Sequence, residues 1–368
     1  MSQGKQIQVM VIDDSAATRV MLRQLAEADP AIAVTRSLAS AEAAVDSMRG
    51  SLPDVIILDL ELPGINGLQF LKMVMTQNPI PIIVCSGLTA RGSDAALTCL
   101  SMGAVEVILK PTISNAQQKL EAQQMICDAI HAAYQSAKGR PGGGKLPALQ
   151  PVDEKLSPDV LLPKPRLSPV PKTEPIVVIG ASTGGTVALE KLLKDLPEDC
   201  PPIAIVQHMP EGFTAAFASR LNKFMPMEVY EAQEGMQMKR GQVILARGNM
   251  HLVLRRMPDN YRVSLLDGPR ITRHRPSVDI LFRSAAHSAG ANALGILMTG
   301  MGDDGALCLG EMKAAGALTV AQDEASSVVF GMPAEAIRRG HADRIVSLDQ
   351  MAKQIVAFDR MNRTAVRA

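Results

Sequence analysis

The chain has 368 residues, of which 47% are hydrophobic and 20% charged, and its formal net charge is +1. This composition is that of a globular chain long enough for two domains of roughly 100–200 residues each. The near-neutral charge gives no general attraction to nucleic acids or anionic membranes, and 3% aromatic residues without tryptophan argue against a base-stacking surface.

The first 137 residues alternate short apolar runs with stretches of helical periodicity. The predicted strands are Gln8–Ile12, Ala31–Ser37, Val55–Leu58, Ile80–Cys85 and Val105–Leu109. The predicted helices include Ala16–Ala28, Gly67–Gln77 and Asn115–Ser136. Near-continuous apolar strands that alternate with helices indicate an α/β domain, with a doubly wound parallel sheet covered on both faces.

Residues 138–174 differ from the rest of the chain, being dense in proline and glycine without apolar periodicity. Structureless loops of this length are uncommon inside compact domains, so we expect a linker that is partly flexible and partly polyproline-like. The expected organisation is a first domain at 1–137, a linker at 138–174 and a second domain at 175–368.

A second alternation of strands and helices begins at Ile176. The predicted strands are Ile176–Ile179, Ile203–Val206, Val243–Leu245, Val253–Leu254, Val263–Leu266, Ala293–Met298 and Leu318–Ala321. The predicted helices are Val187–Leu196, Thr214–Phe224, Val278–Ala289, Gly305–Ala314 and Ala334–Arg339. Because residues 242–266 look rich in hairpins, we expect a doubly wound, Rossmann-like and mostly parallel sheet with an antiparallel insertion.

The N-terminal sequence and the cysteines bear on the cellular compartment. The N-terminal stretch "MSQGKQIQVMVIDDS" turns acidic without a long apolar run, so we expect a strand and not a signal peptide. No apolar run approaches the ~20 residues of a membrane span. The five scattered cysteines include no C-x-x-C pair, which argues against disulfides or zinc. We therefore expect a cytoplasmic protein.

Polar residues follow several strands of the first domain. Asp13 and Asp14 end the first strand, Asp59 the third, Ser86 the fourth and Lys110 the fifth. The carboxyl ends of adjacent parallel strands converge on one crevice. Three carboxylates there favour a hard cation such as Mg²⁺, and an Asp carboxylate can itself accept a phosphoryl group. Each residue alone has an ordinary interpretation as a cap or solvated loop residue, but the joint pattern is far more specific.

This constellation resembles the flavodoxin-like receiver domain of two-component response regulators, over residues 7–136. The resemblance implies that Asp59 is the phospho-acceptor and that Asp13, Asp14 and Asp59 bind Mg²⁺. It further implies that Ser86 and Lys110 are the switch residues. Val107 stands where many receivers carry an aromatic switch residue.

The stretch "GASTGG" follows the first strand of the second domain. A phosphate loop requires a lysine where Thr186 stands, and a dinucleotide fingerprint requires a glycine where Ser182 stands. The G-x-S-x-G nucleophile elbow does fit, and it presents Ser182 at a helix N-terminus. The sequence therefore favours a nucleophilic serine.

A nucleophilic serine needs a base and a carboxylate that orients the base. His208 ends the next strand, so the topology favours it over His251, His274, His287 and His341. In "MTGMGDDG", either Asp303 or Asp304 can be the orienting acid. The order Ser, His, Asp argues against an α/β-hydrolase fold.

The motifs "VIGASTGG", "QHMP", "HRPSVDILF", "MTGMGDDG" and "VVFGMPAEA" resemble the chemotaxis protein-glutamate methylesterase family, which also carries an N-terminal receiver. The resemblance implies that Ser182 is the nucleophile, His208 the base and Asp304 the orienting acid, with oxyanion contacts from Thr183 and the Met301 N–H. It implies ester hydrolysis without a cofactor on methyl-accepting chemotaxis receptors, releasing methanol, and deamidation of receptor glutamines. A chemotaxis histidine kinase would be the phosphodonor, and membranes would be reached only through receptors.

Other interpretations stay open on the residues alone. The segment "GPRITRHRPS" is either a solvated basic loop or a substrate-facing lip, and a DNA contact is disfavoured because no helix-turn-helix pattern accompanies it. The chain is alternatively a non-enzymatic response regulator whose second domain only binds a partner. A receiver coupled to a nucleotide-binding module lacks the required lysine and glycine spacing.

Overall fold

The computed structural model describes residues 6–87, 90–137, 155–165, 170–258 and 260–366. The chain divides into two compact units, Met1–Asp153 and Glu154–Ala368. None of the helices in the described part of the chain is long and apolar enough to cross a membrane.

The first unit is built on a five-stranded parallel sheet. Its strands are β1 (Ile7–Ile12), β2 (Ile32–Leu38), β3 (Val55–Leu58), β4 (Ile82–Ser86) and β5 (Glu106–Leu109). Its helices are α1 (Ala16–Ala26), α2 (Ala41–Met48), α3 (Gly67–Gln77), α4 (Ala90–Ser101) and α5 (Ala116–Ser136). The strand order β2-β1-β3-β4-β5 reverses direction between β1 and β3. The carboxyl ends of these two strands therefore flank the ligand crevice of a doubly wound sheet.

Local sequence explains these elements. All four residues of β3 and all five of β4 are buried, as the continuous apolar runs predict for a sheet covered on both faces. Asn66 and Gln69 form a capping box that starts α3, so the loop after β3 has a fixed exit. The predicted strands and helices of this unit match the observed ones to within two residues at each end.

The second unit contains a larger parallel sheet and a small antiparallel one. Its strands are β6 (Ile176–Ala181), β7 (Ile203–Gln207), β8 (Glu228–Glu231), β9 (Gln237–Met238), β10 (Gln242–Leu245), β11 (His251–Arg256), β12 (Tyr261–Leu266), β13 (Ala293–Leu297), β14 (Leu318–Gln322) and β15 (Arg344–Val346). Its helices are α6 (Gly185–Lys194), α7 (Phe213–Phe224), α8 (Val278–Ser288), α9 (Ala306–Ala314), α10 (Met332–Arg338) and α11 (Leu348–Val366). The parallel order is β15-β14-β13-β6-β7-β10-β8, and β11-β12-β9 forms the antiparallel sheet.

The predicted fold class is confirmed, with corrections in the second unit. The antiparallel insertion is a separate sheet, and Val243–Leu245, which we had grouped with the hairpins, pairs in parallel with β7 and β8. The sequence analysis missed β8, β9, β15 and α11. The edge strands β8 and β15 contain mostly half-buried or exposed residues, so they lack the apolar run that identifies a central strand.

Part of the predicted linker has its own structure. Residues 138–154 and 166–169 lie outside the described residues. Residues 155–165 include a 3₁₀ helix at Pro158–Val160, capped by Ser157, that packs on the second unit. Thr173 is buried as well, and its hydroxyl shares a hydrogen bond of 2.7 Å with the Tyr261 hydroxyl.

Candidate active site

Ser182 lies on a tight turn between β6 and α6, at the carboxyl edge of the larger sheet. Its carbonyl accepts a hydrogen bond of 2.7 Å from the Gly185 N–H, which closes the turn. Gly184 has a φ of 78°, and a side chain there would meet Val328 at 2.5 Å. Glycine therefore permits both the left-handed conformation and the close packing of the elbow.

The topology brings His208 beside this turn. Ala181 and Gln207 are register partners at the ends of β6 and β7, and the His208 N–H donates to the Ala181 carbonyl at 3.0 Å. The Gln207 side-chain amide donates to the carbonyls of Ser182 and His208, at 2.9 and 3.1 Å. Sequence analysis missed this cross-link, although Gln207 is part of the "QHMP" motif.

Asp304 follows β13 and is 1% exposed. One of its oxygens lies 2.8 Å from His208 Nε2 and accepts the Val278 N–H at 2.7 Å. The other accepts from the Ser277 hydroxyl and the Asp279 N–H, at 2.8 and 3.0 Å. Burial alone would raise the pKa of Asp304, but these donors, His208 foremost, lower it. The carboxylate is therefore held ionised at the N-terminus of α8.

The bond to Asp304 determines which nitrogen of His208 is basic. An ionised carboxylate accepts only from a protonated Nε2, which leaves Nδ1 as the free acceptor. Nδ1 is buried and has no hydrogen-bond partner among the described residues, so the expected bond to the Ser182 hydroxyl is not formed in this arrangement. His208 Nδ1 is thus available to take a proton within the site.

His274 stacks on His208, with ring centroids 3.6 Å apart and planes inclined by 13°. It belongs to a short turn in which Thr272 and Arg273 have positive φ values. Burial and the neighbouring His208 lower the pKa of His274 well below its usual value, so the ring remains neutral. Part of "GPRITRHRPS" is therefore built into the site.

Further residues behind Asp304 were missed. His251 is fully buried, and its Nδ1 accepts from the N–H of Ser277, the residue whose hydroxyl donates to Asp304. Asp279 accepts from the Cys308 N–H and the Thr272 hydroxyl, both at 3.0 Å. Burial, with repulsion from Asp304, raises the pKa of Asp279 to about 8. The pattern in "HRPSVDILF", where a serine and an acid flank a helix start, indicates only an ordinary helix cap.

The two expected oxyanion contacts lie next to the serine turn. Thr183 follows Ser182 directly, and its carbonyl accepts from the Thr299 hydroxyl at 3.0 Å. Gly300 packs so closely on Ser182 that an added Cβ would lie 2.7 Å from the Ser182 Cβ. The next residue is Met301, whose N–H has no backbone acceptor within the described residues.

The first unit gathers the predicted acidic residues in its own crevice. One carboxylate oxygen each of Asp13, Asp14 and Asp59 lies within 4.8 Å of the others. The Lys110 ammonium lies 2.6 Å from Asp59 and 2.9 Å from Asp13. Burial raises the pKa of Asp13 despite this ammonium, while the two carboxylates raise the pKa of Lys110 against the effect of burial. One ammonium group does not balance the charge of three carboxylates, so a second cation would be favoured in this crevice.

The remaining two predicted positions lie on strands of the same sheet. Ser86, the last residue of β4, is 1% exposed, and its hydroxyl donates to the Gly87 carbonyl at 3.4 Å. Val107 is buried in β5, so no aromatic ring occupies that position.

Together the folds and sites define a class: a response regulator whose output domain is built as a hydrolase. A family model described as CheB methylesterase matches residues 177–355, and one described as response regulator receiver domain matches residues 9–122. "Protein-glutamate methylesterase/protein-glutamine glutaminase 1" of Cereibacter sphaeroides is 52% identical over 352 residues, covering 96% of this chain and 95% of that protein. The chain therefore belongs to the protein-glutamate methylesterase/protein-glutamine glutaminase family.

Two further comparisons found a relative and a solved structure. "Protein-glutamate methylesterase/protein-glutamine glutaminase 3" of Geobacter metallireducens is 49% identical over 355 residues, covering 96% of this chain and 99% of that protein. The solved catalytic domain of Thermotoga maritima CheB methylesterase is 35% identical and covers 51% of this chain and 99% of that one, with a TM-score of 0.48.

Proposed function

We propose that this chain hydrolyses glutamyl methyl esters on methyl-accepting chemotaxis receptors, releasing methanol, and deamidates specific receptor glutamines. Both activities appear in the names of relatives that cover nearly the whole chain. The observation that carries the proposal is the 2.8 Å bond between His208 Nε2 and Asp304, which leaves Nδ1 free next to the Ser182 turn.

The first half-reaction follows from this arrangement. His208 Nδ1 takes the Ser182 hydroxyl proton as Oγ attacks the ester carbonyl carbon. The tetrahedral intermediate collapses, the carbon–methoxy bond breaks, and Nδ1 returns the proton to the leaving oxygen to give methanol. The Ser182 hydroxyl must first come within hydrogen-bond distance of Nδ1, because Nδ1 has no hydrogen-bond partner among the described residues.

The second half-reaction frees the enzyme. His208 takes a proton from water, the hydroxide attacks the acyl-serine carbonyl, and Ser182 leaves with the proton. The product is a receptor glutamate. With a glutamine substrate the same steps release ammonia in place of methanol, since only the leaving group differs.

Charge develops at two points in these steps. The Met301 N–H and Thr183 stabilise the oxyanion. In other hydrolases, removal of one such donor raises the activation free energy by about 3–4 kcal/mol. Asp304 stabilises the imidazolium that forms on His208, and its three other donors, on Ser277, Val278 and Asp279, hold the carboxylate in place.

The first unit supplies the control. Asp59 is the proposed phospho-acceptor, with a chemotaxis histidine kinase as donor. Asp13, Asp14 and Asp59 would hold Mg²⁺, which suits oxygen ligands and neutralises charge on a transferring phosphoryl group. Lys110 would pair with a phosphoryl oxygen at Asp59, and Ser86 would donate to another; the 2.6 Å contact between Lys110 and Asp59 supports the first role. Since Val107 replaces the aromatic switch, the phosphorylated state is signalled through Ser86 and Lys110.

The proposed hydrolase is tested by methanol release from methyl-labelled receptor membranes. Ser182→Ala should release none above background while its thermal unfolding midpoint stays that of the wild type. Ser288→Ala, a serine whose hydroxyl only caps the Leu254 carbonyl, serves as the matched control and should keep full activity. Methanol release by Ser182→Ala close to the wild-type rate would exclude Ser182 as the nucleophile.

A further inference from the structure

Residues 155–163, here called the strap, are fastened along helix α8. Arg283 of that helix is fully buried, and it donates to the Asp159 carboxylate at 2.5 Å and to the Leu162 carbonyl at 2.9 Å. One turn further along α8, His287 Nε2 lies 2.8 Å from the Pro163 carbonyl. The strap is therefore a fixed part of the second unit, although it lies within the predicted linker at 138–174.

Apolar contacts add to these anchors. Leu161 and Leu162 pack against a small buried cluster of Val253, Ile271 and Ile280. The Leu161 side chain also covers Gly268, where an added Cβ would approach it to 2.7 Å. The strap thus packs on the loop that leads into the His274 turn.

The first two residues of the strap bond to the two loops that carry the active-site groups. The Leu156 carbonyl accepts the Thr272 N–H at 3.0 Å. The Lys155 ammonium lies 2.6 Å from the Asp303 carboxylate, which Arg339 also approaches at 3.8 Å.

Each contact lies within two residues of a side chain in the site. Thr272 precedes His274 by two positions, and His274 stacks on His208. Thr272 also donates its hydroxyl to Asp279, the residue whose N–H donates to Asp304. Asp303 directly precedes Asp304. The N-terminal end of the strap therefore contacts both loops of the site. One loop carries the His274 ring that stacks on His208, and the other carries the Asp304 carboxylate that orients His208.

We propose that the strap is a positioning element for the hydrolase, in which Lys155 and the Leu156 carbonyl hold the Asp303–Asp304 and Thr272–His274 loops in the productive arrangement. This inference rests on the proposed function of Ser182, His208 and Asp304. It extends that function, because Lys155 and Leu156, near the start of the second unit, would help to set the rate of turnover. A displacement of the chain before Lys155 reaches the active-site loops through two direct contacts.

The test uses the full chain with two inserted glycines between Leu156 and Ser157, which uncouples the loop contacts from the anchors on Arg283. The control inserts two glycines between Gly143 and Gly144 and lengthens the linker equally. A second pair compares Lys155→Met with Lys164→Met, since Lys164 approaches only Asp159 of the strap, at 3.9 Å.

Two measurements separate positioning from receptor binding. The first is the pair of constants kcat and KM for methanol release from labelled receptor membranes. The second is the rate at which a fluorophosphonate probe labels Ser182. The strap insertion should lower kcat and the labelling rate by about 10- to 100-fold, as expected for misplaced catalytic groups, with KM changed by less than about twofold. Lys155→Met should lower both by about 1.5- to 5-fold, the range for one partly exposed ion pair.

The outcomes are distinct. If each strap variant behaves as its matched control does, the strap is only packing and the proposal is overturned. If the insertion prevents folding, the Lys155→Met and Lys164→Met pair decides alone. If the wild type neither releases methanol nor is labelled at Ser182, the proposed hydrolase itself fails, and the strap proposal falls with it.

Discussion

Replacing Asp304 with asparagine exchanges one carboxylate oxygen, which accepts hydrogen bonds, for an NH₂ group, which donates them. The carboxylate accepts from His208, Ser277, Val278 and Asp279, whereas an amide has only one oxygen to offer. If the amide oxygen faces His208, the NH₂ faces the Asp279 N–H, and a buried donor loses its acceptor. If the NH₂ faces His208, the ring must present an unprotonated Nε2, and Nδ1 carries the proton.

Both orientations have a calculable cost. A buried donor without a partner costs about 1–3 kcal/mol, which is a fall of roughly 2–12 °C in the unfolding midpoint of a domain this size. A base held in the wrong tautomer cannot accept from Ser182, and the corresponding change in another serine hydrolase lowers kcat by about 10⁴-fold. We therefore expect Asp304→Asn to fold and to lose on the order of 10³- to 10⁴-fold in kcat.

The assay is methanol release at saturating receptor, with the unfolding midpoint measured on the same preparations. Asp303→Asn is the matched control, because its carboxylate meets only the exposed partners Lys155 and Arg339, and it should lose no more than about 5-fold. If Asp304→Asn kept more than about a tenth of the wild-type kcat, the NH₂ group would not face His208, and the expected change of tautomer would be refuted.

Three further predictions concern other parts of the two sites. Because the pKa of Asp279 is raised to about 8, its folded form holds a proton that the unfolded chain loses near pH 4, so the free energy of unfolding falls as pH rises between these values. Asp279→Asn, which mimics the protonated acid toward Cys308 and Thr272, should flatten this fall in urea titrations at pH 5 and 8, whereas the exposed Asp195→Asn should not. Gly300→Ala would place a Cβ 2.7 Å from that of Ser182 and should lower methanol release by about 10²-fold, while Gly50→Ala, with its nearest neighbour at 3.8 Å, should have no effect. Mg²⁺ at about 100 times its Kd should add about 2.7 kcal/mol to the stability of the first unit, and an unchanged melting curve, or an equal gain in Asp13→Asn, would refute the assigned ligands.

The sequence was most informative where strands are central and buried. The runs that end at Ile12, Leu58 and Ile179 are apolar and buried apart from the half-buried Gln8, so their position and their carboxyl ends were predictable. Once the ends of parallel strands are known, topology places the polar residues after them in one crevice. That is why the sequence predicted that Asp13 and Asp59 share one crevice and that Ser182 and His208 lie side by side in another.

Other features depend on contacts between distant segments. His251 accepts a hydrogen bond from the Ser277 N–H, and the Ser277 hydroxyl donates to Asp304. Nothing in local periodicity distinguishes His251 from an ordinary strand residue or Ser277 from an ordinary cap. The linker prediction relied on proline and glycine content, which cannot show that Asp159 finds a buried arginine 124 residues away. Helix α11 was missed although its buried residues Met351, Ile355 and Phe358 recur at helical spacing.

In the proposed mechanism, Asp59 controls the activity of Ser182. This control is measured as methanol release from labelled receptor membranes by the wild type, Ser182→Ala and Asp59→Asn, each with and without a small-molecule phosphodonor. The wild type should be stimulated by the donor, Asp59→Asn should keep its basal rate without stimulation, and Ser182→Ala should release nothing in either condition. Release by Ser182→Ala would exclude Ser182 as the nucleophile, and equal stimulation of Asp59→Asn would exclude Asp59 as the phospho-acceptor.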